Sequence, residues 1–164
     1  MSAPAGGWAS PLGASTILFV LYGLVYLFIG ALTPLLHDRG IGPTMLFISP
    51  RADTVLFGAA PAELINDPAL SRLRSLLLIA LGGILVAAGI LVIATAVFAL
   101  RGGERWALFA LALAGIAVLP FWFLVLRPYF AAGAPLSLGD LPPFMWVPAA
   151  LLIPASILGW IGTR

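Results

Sequence analysis

Four stretches of this chain contain no charged residue: Leu12 to Leu36, Ser75 to Leu100, Trp106 to Leu126 and Leu141 to Thr163. A helix needs about 20 apolar residues, rising 1.5 Å apiece, to cross the roughly 30 Å hydrocarbon core of a bilayer, and each stretch is long enough. The sequence therefore predicts an all-α fold, an integral membrane four-helix bundle forming a single domain. Its spans lie at about 14–36, 75–100, 106–127 and 143–163, with a short interfacial helical segment at about 40–67 between the first two.

Composition agrees. Hydrophobic residues make up 62% and charged residues 9%, against about 45–50% and 25% in soluble domains. All eight basic residues are Arg, which with the abundant Ala, Gly and Leu points to a high-GC bacterial genome and hence to a bacterial cytoplasmic membrane. The net charge of +2 comes from scattered groups, so no basic cluster exists to hold phosphates and no nucleic-acid partner is expected. Cysteine is absent, which removes disulfides, thiolate catalysis, iron–sulfur clusters and Cys-type zinc sites. The first run has no positive side chain ahead of it and exceeds the usual length of a signal-peptide core, so it is expected to be a retained helix.

Punctuation divides the runs. Pro34 and His37-Asp38-Arg39-Gly40 are expected to end the first helix. The connection that follows, about 30 residues, is too long to be structureless and should hold one or two short helices within Ala52 to Asn66. Asp67-Pro68 reads as the N-cap and first position of the second helix. The tight link Arg101 to Arg105 implies that the second and third helices are antiparallel neighbours. In lipid, close approach through small residues holds helices together, and Gly83 with Ala87 is expected to face Ala110 with Ala114. Trp8, Trp106, Trp146 and Trp160 mark interfaces, the aromatic cluster around Trp122 reads as part of the same belt, and Pro154 should loosen the fourth helix.

One polar pattern stands out. Ser15, Tyr22, Tyr26, Thr33 and His37 follow one another at spacings of 7, 4, 7 and 4, which places them within roughly 60° of each other on a helix. Either these groups hydrogen-bond across the bundle, or they line a polar cavity that grips the polar end of a lipophilic molecule. The candidate ligand-binding residues are therefore Tyr22, Tyr26, Thr33 and His37, joined by Arg127 if it faces inward; otherwise Arg127 snorkels from the end of the third helix.

The absences exclude whole classes. Coupled transporters keep ionisable residues within their spans, and none of the four runs has an Asp, Glu, Lys or Arg. Haem ligation needs helix histidines, and the single histidine, His37, lies at a helix end. No catalytic residue, metal-ligand spacing or phosphate loop can be assigned.

The stretch from Asp67 to Ala107, with Asp67-Pro68, Arg72, Arg74, a Gly-containing helix and the hairpin Arg101-Gly102-Gly103-Glu104-Arg105-Trp106-Ala107, resembles the small bacterial DoxX-like membrane proteins. The resemblance implies a four-helix bundle and carries no catalytic residue over to this chain. The long first connection departs from the plainest members.

Two functional readings follow. The first is a non-catalytic membrane module, either an accessory subunit partnered by other membrane subunits or by itself, or a lipid- or quinone-binding protein, with no cofactor required. The second is a small membrane enzyme or permease with its site at the His37 end of the first helix. The densely basic hairpin places both termini on the cytoplasmic side under the positive-inside rule, although Arg39, Arg51, Arg72, Arg74 and Arg127 share the opposite side.

Overall fold

The computed structural model describes the backbone of residues 7–38 and 45–164 and the side chains of residues 7–34 and 45–164. The side chain of His37 lies outside those described, and residues 39–40 lie outside the described residues altogether. Every regular element among the described residues is helical. Four helical stretches are long and apolar enough to cross a membrane: Pro11–Pro34, Pro68–Gly102, Arg105–Ala131 and Pro143–Gly162.

Helix α1 (Pro11–Asp38) opens at Ser10, whose hydroxyl donates to the Gly7 carbonyl and accepts from the Gly13 amide. Pro34 lies inside α1 rather than ending it. The proline deletes one amide donor, and the helix goes on for a further turn.

The connection, expected to hold one or two short helices, holds two, α2 (Pro50–Phe57) and α3 (Pro61–Ile65). Ser49 caps α2 by accepting from the Ala52 amide, and Gly58 ends it in the left-handed region at φ 73°. Asp67 caps α4 (Pro68–Ala94) by accepting from the amides of Ala69 at 2.7 Å and Leu70 at 3.3 Å, as the Asp67-Pro68 pair foretells.

Beyond Ala94 the second long helix passes through one π-helical turn (Thr95–Ala99) and a 3-10 turn (Leu100–Gly102), and the chain reverses at Gly103, φ 86°. The third long helix is divided at Val118 into α5 (Arg105–Ala117) and α6 (Leu119–Ala131). Pro120 supplies no amide to the preceding turn, which accounts for the break. Helix α7 (Pro143–Gly162) contains Pro148 and Pro154.

Helix α1 is the hub, packed along its length on α4 and on α7, while α5 packs on α7. Its contact with α4 is made through two glycine pairs: a Cβ on Gly23 would stand 2.9 Å from the Gly89 carbonyl oxygen, and one on Gly82 would stand 2.7 Å from that of Gly30. The pairs are seven residues apart on each antiparallel helix, two turns, so one register serves both. On the α7 side, the buried Ser15 hydroxyl donates to the Ala155 carbonyl at 2.7 Å, and Gly162 lies against the Leu12 backbone.

The small-residue expectation for α4 and α5 does not hold. Gly83, Ala87, Ala110 and Ala114 are exposed, and a Cβ on Gly83 would meet nothing. Gly82, one residue before Gly83, and Gly89, two residues after Ala87, make the contacts, and they face α1. On α5 it is Gly115 that packs, against Leu152 of α7. Helices α4 and α5 meet at the turn and then part, because each is committed to a different neighbour.

Candidate functional site

The gap left between α4 and the α5–α6 segment is a cavity of about 370 Å³ floored by α1, within the roughly 300–1,000 Å³ range of small-molecule sites. Its walls are almost wholly apolar, contributed by such residues as Phe19, Leu85, Leu111 and Phe121. Three of the lining residues carry a polar side-chain atom.

Tyr22 and Tyr26, one turn apart on α1, bring their hydroxyl oxygens to 3.4 Å, with ring centroids 5.1 Å apart in an edge-to-face arrangement. The third group is the indole N–H of Trp122 on α6. Trp122 Nε1 is buried and has no hydrogen-bond partner among the described residues, while its ring packs against Phe144 at 5.4 Å. Leaving such a donor unmet costs about 1–3 kcal/mol.

The stripe read from the sequence is therefore divided among three environments. Ser15 serves the α1–α7 contact. Tyr22 and Tyr26 open on the cavity. Thr33 donates to the Ile29 carbonyl of its own helix and lines a second cavity of about 550 Å³ with Met45, Ser49 and Asp140. Phe144 belongs to the walls of both cavities. Arg127 is exposed on α6 and lines neither. At the second cavity, Asp140 accepts from the Ser137 hydroxyl at 2.6 Å and the Ser137 amide at 3.0 Å. These bonds hold its carboxyl below the ordinary carboxylate range.

Among the described residues the most heavily bonded polar group near these cavities is Asp53, whose role sequence reading missed. It is fully buried in α2, and its carboxylate accepts from the amides of Leu46, Phe47 and Ile48 at 2.7, 3.0 and 3.3 Å. Its fourth donor is the Tyr129 hydroxyl of α6, at 2.8 Å. This knot fastens the segment ahead of α2 onto α6, around a small core of Ile48, Ala52, Tyr129, Ala134 and Met145. Asp53 stands near a helix start among apolar residues, a pattern equally suited to a solvated surface helix. Trp122 likewise was indistinguishable from the neighbouring Phe121 and Phe123, both of which are exposed.

Comparison of the chain with protein-family models, with curated proteins and with solved structures finds no match. Among the described residues no group of His, Asp and Glu could hold a metal ion.

Proposed function

We propose that this chain is a multi-pass membrane module that binds a lipophilic molecule carrying a hydrogen-bond acceptor, a quinone or a lipid carbonyl, in the cavity of Tyr22, Tyr26 and Trp122, and performs no chemistry on it. The four long helices form the bundle in this reading, with α2 and α3 lying at the membrane interface. Large outward-facing apolar side chains such as Phe98, Ile84 and Leu91 support it, since a surface so composed is suited to hydrocarbon rather than water.

The observation that carries the ligand reading is the buried Trp122 N–H without an acceptor. A quinone or ester oxygen would satisfy it, and the tyrosine hydroxyls of the same lining would fix the ring or headgroup. The remainder of the molecule would lie in the apolar gap, which is open toward the acyl chains. The DoxX-like resemblance of Asp67 to Ala107, the bacterial cytoplasmic membrane, the cytoplasmic termini and a place as an accessory subunit belong to the same reading. Phe123, exposed and outside the cavity lining, offers a surface for a partner subunit.

Titration of the purified full chain with a short-tailed quinone, followed by tryptophan fluorescence, tests the site. Saturable one-to-one binding is expected, weakened about 5- to 30-fold by Tyr26→Phe combined with Trp122→Phe, as loss of one to two net hydrogen bonds implies. Binding by the double variant at wild-type affinity overturns the assignment.

A further inference from the structure

A second groove lies on the outer half of α4, beneath the short helices. It encloses about 590 Å³, and apart from Arg74 every described side chain that lines it is Leu or Phe, among them Leu46, Phe57, Leu64, Leu73 and Leu77. Arg74 is half-buried, with Nε shielded from solvent, and the Asp53 carboxylate lies within electrostatic reach. We infer that this groove holds an anionic phospholipid, with the headgroup phosphate at Arg74 and one acyl chain along the leucine face of α4.

Chemistry and position both select that occupant. A groove whose described lining is apolar but for a guanidinium fits a molecule that is anionic at one end and hydrocarbon elsewhere, and a guanidinium matches phosphate oxygens in a two-pronged geometry. Arg74 is six residues into α4, about 9 Å from its start. Given the proposed bilayer placement, on which this inference rests, that is headgroup depth, where a lipid phosphate is the abundant anion. Exposed Arg72 adds a second positive charge beside Leu73, which is common to the two linings.

The roof is built rather than incidental. Leu46 and Phe47 hang over the groove because their amides are bonded to Asp53, and Leu64 reaches it from α3. At its inner end the groove shares Leu81 with the Tyr22–Tyr26 cavity, so an acyl chain following Leu77, Leu78 and Leu81 reaches the wall of the first site.

Native mass spectrometry of the full chain, delipidated in mild detergent and offered phosphatidylglycerol or phosphatidylcholine of the same acyl chains, tests this. One phosphatidylglycerol should be retained in preference to phosphatidylcholine, and Arg74→Gln should lower that retention about five-fold, the effect of one charge at a membrane surface. Arg74→Lys should keep the preference in part. Equal retention of the two lipids, or Arg74→Gln behaving as wild type, overturns the inference. Displacement by millimolar inorganic phosphate also overturns it, by showing a free-phosphate site. If Arg74→Gln does not fold, Leu77→Trp decides. Leu77 is exposed, and a Trp there fills the groove without removing the charge, so unchanged phosphatidylglycerol retention rejects the site. Quinone binding at Trp122 is measured separately and can fail or succeed without this result.

Discussion

Two buried polar residues contrast most sharply. Among the described residues Asp53 has four donors and the Trp122 indole no acceptor. A carboxylate taken fully out of solvent is tolerated only where donors surround it, and here those donors come from three consecutive amides and a tyrosine on another helix. Asp53→Ala strands all four donors, so a loss of about 2–3 kcal/mol is expected, with Asp53→Asn losing less because one acceptor oxygen remains. Thermal unfolding in detergent, followed by circular dichroism, measures both; an alanine variant as stable as wild type would remove the knot as an anchor. Neither residue's role was legible from sequence. Burial of a side chain at a helix start depends on what packs over it, and for Asp53 that partner, Tyr129, is 76 residues away.

At the scale of elements, the decisive contacts are the Gly23–Gly89 and Gly30–Gly82 pairs, which let the backbones of α1 and α4 touch. Gly82 and Gly83 are adjacent and have opposite fates. A side chain on Gly82 collides with the Gly30 carbonyl, while one on Gly83 enters open space. Gly82→Val should therefore cost about 1–3 kcal/mol through overpacking, whereas Gly83→Ala should be neutral or stabilising by up to about 1 kcal/mol from helix propensity. The same melting assay compares the two. Equal losses at both positions would contradict the observed helix rotation. Sequence supplied the helices, the Asp67 cap and the prolines that shape them, because these depend on neighbours a few residues away. It misjudged the face of α4 because Gly and Ala occur on several sides of that helix, and composition alone does not select one.

For the whole molecule, contacts at one end tie together three separate parts of the chain. The Arg101 guanidinium lies over the Trp8 ring at 4.2 Å, and Arg105 Nε donates to the Thr163 carbonyl at 2.8 Å. The start of α1, the α4–α5 hairpin and the end of α7 thus share one end, while the α2–α3 segment lies toward the other. With no native cysteine, Gly102→Cys and Ala59→Cys provide clean probes for an impermeant thiol reagent. Labelling of the two from opposite sides is expected, with Gly102→Cys protected in intact cells. Labelling of both from the same side would reject the four-span topology, and labelling of Gly102→Cys alone from outside would invert it. The sequence by itself determined that four helices are long and apolar enough to span a bilayer, that the second of them starts at Asp67-Pro68, and which helix carries hydroxyls, since charge-free length, capping and periodicity are local properties. Only the tertiary structure decided that α4 and α5 part instead of pairing, that a cavity fills the gap, and that Trp122 of α6 lines it together with two tyrosines of α1. Those outcomes depend on which neighbour each helix packs against most closely, and that competition is settled by backbone approach in three dimensions.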